Sequence, residues 1–242
     1  MDVSLFNDQF EKFITEVKRN FDLNFKNKLR GISEDIFIRG NNPSLSNIVE
    51  DKFAEFLYQV FSDKNYLFLI DVNLSTKYKG ESKSIRPDII VIERISNEIK
   101  GIFEIKIDDA RADDDWVKLS EEKLDHLKAI SKSTDVKNNY IQFTTIKIDE
   151  YGNPLRTPKG RIRTEKHKIH CDQEAKIACI TLCKENSRKK EGSEDKFRTE
   201  GEFALYISKK HFNNQNHTIQ DILDEENLKK EELSDILAKM NI

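Results

Sequence analysis

The chain has 242 residues, of which 37% are hydrophobic and 35% are charged, and its formal net charge at pH 7 is -3. This length suits one large domain, and the charge excludes a uniformly basic nucleic-acid coat while allowing a local basic cleft. The three cysteines form no CxxC pair, so no disulfide framework is expected. No apolar run approaches the roughly 20 residues that cross a bilayer, and the N-terminus is acidic where a signal peptide is basic, so we expect a cytoplasmic protein without a membrane partner.

Two helices are predicted in the first 62 residues. The first covers about 25 residues, because large apolar side chains recur there every three or four positions, as on one face of a packing helix. The second begins after Asn42, a plausible N-cap that is followed by Pro43 in the first turn, and it ends near Ser62. The apolar positions of the first helix are Phe6, Phe10, Phe13, Ile14, Val17 and Phe21.

Three strands, a helix and a fourth strand are predicted next. The strands are NYLFLIDVNLSTKY, RPDIIVIE and NEIKGIFEIKI, and the last two form a hairpin around Ser96 and Asn97. Leu124, Leu127 and Ile130 share one face of the helix that follows, and NNYIQFTTIKI is the fourth strand. This order predicts a mixed α/β sheet with a helix on each face.

The last third of the chain has weaker patterns. AKIACITLC and GEFALYISKKHF are typical of strands, KENSRKKEGSEDK between them of a charged loop, and the tail from Thr218 of a helix. We therefore predict an N-terminal helical extension over residues 1–42, a core over residues 43–145, and C-terminal β and helical additions over residues 146–242. These additions are expected to pack on the core and to contact DNA or a second subunit.

The predicted hairpin carries three charges in strands that are apolar enough to be buried. Glu104 and Lys106 point to one face because side chains alternate along a strand, and antiparallel pairing places Asp88 opposite residues 104 to 106. Two carboxylates forced together in a buried site repel each other, and a divalent cation relieves that repulsion. Oxygen ligands of this kind suit Mg²⁺, and a lysine beside a metal-bound water can orient or deprotonate it.

A fourth charged group is predicted to enter the core from the second helix. At about 100° per residue, Glu50 projects into the middle of the apolar stripe formed by Phe53, Leu57 and their neighbours. Glu55 projects among polar positions instead. An acid centred on a stripe that faces the core needs a partner.

Together these residues resemble the PD-(D/E)xK nuclease superfamily, with PD at 87 and 88 and ExK at 104 to 106 in a hairpin that follows a helix bearing an inward acid. The resemblance implies a restriction-endonuclease-like fold with an αβββαβ core. It implies Asp88, Glu104 and the backbone carbonyl of Ile105 as metal ligands, Lys106 as the group that activates water, and Glu50 as a further acid at the metal. The implied reaction is hydrolysis of a phosphodiester in DNA with Mg²⁺, for which Mn²⁺ is expected to substitute.

Two other sets of residues are candidates for function. Basic side chains in two segments are suited to phosphate contacts, although a charged segment can equally be a solvated surface. His167, His170 and the cysteines fit no ordinary zinc spacing, and Gln142 on the fourth strand could support the metal site. The basic candidates are Lys77, Lys79, Lys83, Arg86, Lys159, Arg161, Arg163, Lys166 and Lys168.

Four interpretations of the chain remain open at this stage. In the first it is a type II restriction-like endonuclease, which cuts double-stranded DNA as a homodimer because cutting both strands needs two sites. In the second it is a stand-alone repair, recombination or structure-selective nuclease. The third is an inactive DNA-binding or scaffold protein with the same fold. In the fourth, Pro87 and Asp88 merely start a strand, and Glu104 and Lys106 are an exposed pair on an edge strand.

Overall fold

The structure is a computed structural model, and it describes residues 2–29, 45–108, 115–184, 201–240 and 242. Five helices and eight strands lie in these ranges. The helices are α1 (Val3–Leu29), α2 (Leu45–Val60), α3 (Trp116–Ser131), α4 (Ile219–Leu223) and α5 (Lys230–Met240). The strands are β1 (Tyr66–Ile70), β2 (Leu74–Tyr78), β3 (Glu81–Ile85), β4 (Ile89–Glu93), β5 (Glu98–Asp108), β6 (Tyr140–Ile146), β7 (Thr164–Cys183) and β8 (Ala204–Ser208).

All eight strands belong to one mixed sheet. Its order is β1-β4-β5-β7-β6-β2-β3, and β8 pairs with β7 outside this path. Helices α1 and α2 pack on one face of the sheet through a cluster that includes Val91 and Phe103, and α3 packs on the other face against Ile90 and Ile102. The predicted mixed α/β sheet with helices on both faces is therefore confirmed.

The N-terminal helix is a packing element, as its apolar spacing predicts. All six of its predicted apolar positions are buried. Its phenylalanines pack against those of α2. The edge of one ring faces the other in the pair of Phe10 and Phe56, with 6.1 Å between centroids. Phe53 then contacts Phe103 on β5 in the same geometry, so aromatic packing connects α1 to the centre of the sheet. The predicted cap at Asn42 and Pro43 lies outside the described residues.

The first predicted strand is two strands, so this part of the prediction is wrong. The chain breaks at Asp71, whose φ is +54°, and NYLFLID and NLSTKY become β1 and β2 in different parts of the sheet. Residues 81–85, which lie between the first two predicted strands, form β3 and pair with β2. The break was missed because the apolar and polar alternation continues across Asp71, although an Asp can adopt the left-handed conformation that ends a strand.

The predicted fourth strand forms as β6, but it is not the neighbour of β5. It pairs with β2 and β7, whereas β7 runs parallel to β5, with Glu104 beside Cys179. The second half of β7 is buried on both faces, which its continuous apolar run AKIACITLC explains. The boundary predicted at residue 145 stays a prediction, but the sheet continues across it.

The C-terminal additions pack against this sheet. Strand β8 confirms the prediction for GEFALYISKKHF, and the predicted helical tail is two helices, with a capping box at Thr218 and Asp221 at the start of α4. The Met240 side chain lies against Gly101, where a Cβ would come within 3.0 Å of it. The described part of the chain contains no helix that is both long and apolar enough to cross a membrane.

We predict that Phe10→Ala lowers the free energy of unfolding by about 3–5 kcal/mol, because it leaves a cavity between α1 and α2. Urea denaturation monitored by circular dichroism measures this change. The control is Leu23→Ala on the same helix, where the side chain is 54% exposed and a change within about 0.5 kcal/mol is expected. Equal effects of the two substitutions would contradict the packing role of α1.

Candidate active site

Strands β4 and β5 form the predicted hairpin, and its register brings the predicted charges together. Ile89 pairs with Phe103, so Asp88, one residue before β4, lies opposite Glu104. The turn is at the expected place, where the Asn97 N–H donates to the carbonyl of Glu93 and the φ of Asn97 is +56°. The predicted hairpin, with Asp88 opposite Glu104, is confirmed, and the functional roles of Asp88, Glu104 and Lys106 stay predictions.

A backbone hydrogen bond fixes Asp88 against the neighbouring strand. The N–H of Ile105 donates to Oδ2 of Asp88 at 2.6 Å. The carbonyl of Asp88 accepts the N–H of Asp71 at 2.7 Å. The Asp88 carboxylate is therefore held beside the backbone of residues 104 and 105 and beside the end of β1.

Glu104 is buried, with 3% of the residue exposed, and it has a partner that the sequence did not reveal. Lys123 on α3 donates to its Oε1 at 2.7 Å. Burial and then the nearby Asp88 carboxylate raise the pKa of Glu104, and the hydrogen bond from Lys123 opposes this rise. No sequence signal marks Lys123, because a lysine beside the apolar face of an amphipathic helix has the pattern of a solvated residue.

Glu50 enters the site from α2, as its place on the apolar stripe predicts. It is buried, whereas Glu55 on the same helix is only half-buried and pairs with Lys52. Burial, followed by the charges of Asp88 and Asp71, raises the pKa of Glu50 to about 7, and the charge of Lys106 opposes the rise. The electrostatic influence of Asp88 and Lys106 indicates that Glu50 belongs to the same charged cluster.

Asp71 is a member of this cluster that the sequence prediction missed. It ends β1, donates its N–H to Asp88, and pairs with Arg86 through its carboxylate. Its charge contributes to the raised pKa of Glu50. The signal that could have revealed it is an acid that follows a strongly apolar β run and precedes a polar one, where a strand break is favoured.

Lys106 follows the carboxylates on β5 and is held over an aromatic ring. Its Nζ lies 5.7 Å from the centre of the Trp116 ring, at the start of α3. A cation over an indole face is attracted by the ring quadrupole, so Trp116 restricts the lysine while leaving its ammonium protons available. Lys106 is half-buried, which gives it access to a bound ligand.

The donor set suits a cation that keeps most of its water shell. Within the described residues, no three side chains of His, Cys, Asp or Glu are grouped so that they could hold a metal ion. Asp88 and Glu104, with the carbonyl of Ile105, could supply three oxygen ligands, and Glu50 could act through a water. Mg²⁺ is commonly bound by one or two carboxylates with several waters, so the raised pKa values and this short ligand set fit it.

The predicted basic residues separate into groups. Lys77, Lys166 and Lys168 lie on one exposed sheet face, and Lys83 lies on the opposite face because it pairs with Thr76. Arg86 pairs with Asp71 at the site. The exposed side chains of Lys159, Arg161 and Arg163 lie in the connection from β6 to β7, and Lys79 lies in the turn between β2 and β3.

The other candidates do not join the site. Gln142 pairs with Ser75 and Lys168 at the far side of β7, away from β5. Burial raises the pKa of the Cys171 and Cys179 thiols to about 12. Both thiols are buried among apolar side chains, where a cysteine acts as a small packing residue.

Neither a family model, nor a curated protein, nor a solved structure matches this chain. The resemblance to PD-(D/E)xK nucleases therefore rests on the residues of the chain itself, namely Pro87, Asp88, Glu104, Lys106 and Glu50.

We predict that Glu50→Gln stabilises the metal-free protein at pH 8. The unfolded carboxyl loses its proton near pH 4.5 but the folded one only near pH 7, so wild-type stability falls relative to the variant across this window. The variant's melting temperature should equal that of the wild type below pH 4.5 and rise above it between pH 4.5 and pH 7. Above pH 7 the difference should stay constant at about 2–4 °C or more, because ~1 kcal/mol shifts the melting temperature of a protein of this size by that amount.

The measurement is thermal unfolding in EDTA from pH 4 to pH 8.5. The matched control is Glu55→Gln, because the hydrogen bond from Lys52 lowers the pKa of Glu55 and the substitution should slightly destabilise the protein above pH 4.5. A Glu50→Gln variant that is no more stable than the wild type at pH 8 would show that Glu50 carries no electrostatic strain.

Proposed function

We propose that this chain is a Mg²⁺-dependent phosphodiesterase that cleaves DNA, with a restriction-endonuclease-like fold and a PD-(D/E)xK active site. The observation that carries the proposal is the hydrogen bond from Ile105 to Asp88, which gathers two carboxylates and a lysine at one end of a buried hairpin. A structural hairpin has no need for carboxylates whose proximity raises the pKa of Glu104. A cation-binding site explains why these two carboxylates lie close together.

The order of elements supports the proposed fold. Helix α2, strands β1, β4 and β5, helix α3 and strand β7 follow one another as in an αβββαβ core, and β7 runs parallel to β5. Two additions interrupt this order, the β2–β3 hairpin after β1 and strand β6 after α3. Each addition leaves the pairing among β1, β4, β5 and β7 intact.

Each residue of the site has a role in the proposed reaction. Asp88, Glu104 and the carbonyl of Ile105 would hold Mg²⁺, and Glu50 would add a further acid beside it. The cation, when bound, neutralises charge on the phosphate as the bond to the leaving oxygen breaks. Lys106 orients the attacking water, and the Trp116 ring keeps its ammonium group in place.

A type II restriction-like endonuclease remains the first choice of subclass. Cutting both strands of DNA would use two copies of the chain, and β-rich additions around a core suit sequence readout. A repair, recombination or structure-selective nuclease uses the same site, and the two subclasses differ in the products they form.

One observation favours the inactive alternative. Lys123 already neutralises Glu104 in the metal-free site, so an ammonium group could replace the cation permanently in a scaffold protein. Under the nuclease proposal Lys123, which is more exposed than Glu104, moves toward solvent or toward the phosphate when Mg²⁺ binds.

We predict that the protein converts supercoiled plasmid to nicked or linear DNA with Mg²⁺ or Mn²⁺ and is inactive in EDTA. Asp88→Asn and Lys106→Met should each reduce the rate by about 10²–10⁴-fold, the usual effect of losing a group that positions or activates the nucleophile. The conversion is measured on agarose gels at several enzyme concentrations. Discrete fragments identify a restriction-type enzyme, and preferential cutting of branched DNA identifies a structure-selective one.

The matched control is Glu98→Gln, which changes a half-buried carboxylate, paired with Lys100, at the opposite end of the same hairpin and should leave the rate within about twofold. Cleavage by Asp88→Asn at the wild-type rate would refute the assigned site. A wild-type protein that binds DNA but cuts none of the substrates would identify the inactive alternative.

A further inference from the structure

One face of the sheet is exposed over four strands. In β3, β2, β6 and the first half of β7, alternate side chains such as Leu74, Ile141 and Ile169 are buried in the same cluster as Leu127 of α3. The side chains between them point to the other face, where every one is exposed or half-buried. We call this other face the lysine face; it includes Ser75, Lys77, Gln142, Thr144, Lys166 and Lys168.

The charges of the lysine face have one sign. Lys77, Lys166 and Lys168 lie on it, and its positions on residues 75–77, 82–84, 140–146 and 164–168 include no Asp or Glu. The acids Glu98 and Asp172 border it beyond His170, and both pair with Lys100. Glu165 is on the opposite face because it pairs with Thr145. This separation is not a property of the whole chain, whose 44 acidic residues outnumber its 41 basic ones.

The three lysines are spaced along the strands rather than clustered. Lys77 pairs with Tyr140, Lys168 with Gln142, and Lys166 with Thr144. These pairs are two residues apart, so the lysines span about 14 Å along the strands. Duplex DNA has one phosphate charge per about 1.7 Å of its axis, and a span of this length faces several phosphates.

The β2–β3 hairpin connects the lysine face to the proposed active site, whereas Lys168 lies near the opposite end of the β4–β5 hairpin, because its neighbour His170 pairs with Glu98. The β2–β3 hairpin leaves the sheet at Asp71 and returns at Asp88, and its first pairs are Leu74 with Ile85 and Ser75 with Ser84. The face lies on the side of the sheet that α3 does not cover, whereas the Glu104 and Lys106 side chains contact Lys123 and Trp116 of α3 on the covered side. Glu50, which α2 carries, enters the site from the side that α3 does not cover.

The connection from β6 to β7 extends the positive charge beyond the sheet. Residues 147–163 form a short meander closed by the pairs of Ile148 with Pro154 and of Arg156 with Ile162. This segment has five basic residues and two acidic ones, and all five basic side chains are exposed. Its projection from the end of the lysine face makes it a continuation of the same surface.

We propose that the lysine face binds the phosphate backbone of duplex DNA away from the bond that is cut at the proposed site. The inference rests on the proposed nuclease function, which gives the reason for binding DNA. It identifies the surface that holds this substrate. Hydroxyl, amide and ammonium groups without carboxylates suit phosphate oxygens. A protein partner would require an apolar centre, and Ile146 is the main exposed apolar side chain of this face.

The test compares DNA binding by two triple variants in EDTA, where no cleavage occurs. Fluorescence anisotropy of a labelled 30-base-pair duplex is measured from 50 to 300 mM NaCl. The first triple variant combines Lys77→Ala, Lys166→Ala and Lys168→Ala. It should bind the duplex at least tenfold more weakly at 100 mM NaCl, and the slope of log K against log[NaCl] should fall in magnitude by about 2 to 3. The control triple is Lys64→Ala with Lys209→Ala and Lys239→Ala, exposed lysines elsewhere, and its slope should stay within about one unit of wild type.

A second variant, Thr144→Glu, adds one negative charge at an exposed position of the lysine face and should also weaken DNA binding. This single substitution tests the proposal if the triple variant does not fold. Three outcomes would overturn the proposal. The first is wild-type affinity in the variants of the lysine face, and the second is an equal loss of affinity in the control triple. The third is displacement of the DNA by polyglutamate as effectively as by unlabelled duplex. Asp88→Asn should bind DNA with at least wild-type affinity. A wild-type protein that binds through this face but cuts nothing supports this inference and refutes the proposed function instead.

Discussion

The hydrogen bond from the Ile105 N–H to the Asp88 carboxylate is the contact on which the candidate site depends. Asp88 precedes β4 by one residue and is not part of the strand pairing. This hydrogen bond of 2.6 Å holds its carboxylate beside the backbone of β5. A carboxylate acceptor makes the bond charge-assisted and therefore stronger than a neutral one. Without it, Asp88 could turn to solvent, and Glu104 would lose the neighbour that helps to raise its pKa.

Gathering these carboxylates destabilises the fold locally, and three features offset the effect. Lys123 forms an ion pair with Glu104, Lys106 attracts Glu50, and Arg86 pairs with Asp71. The aromatic contacts among α1, α2 and β5 hold the backbone that carries these groups. A site that keeps acids with raised pKa values in place needs rigid elements around it, and the paired central strands provide them.

The sequence predicted the parts of the site that follow from local geometry. The alternation along β5 placed Glu104 and Lys106 together, the turn at Asn97 set the register, and the helical period turned Glu50 inward. It did not predict Lys123 or Asp71, because their roles depend on which elements pack together. The place of β6 in the sheet was not predicted for the same reason, since strand order in a sheet is a long-range property and β6 and the second half of β7 both had suitable patterns.

The break at Asp71 joins the chemistry to the proposed binding surface. The residue that ends β1 with a left-handed backbone also places its charge near Glu50, and the hairpin that follows it forms one side of the lysine face. Because Ile70 still pairs with Ile89, the hairpin is added without loss of the last contact between β1 and β4. Substitutions on the hairpin can therefore change how a substrate is held without moving Asp88, which separates substrate recognition from chemistry within one continuous sheet.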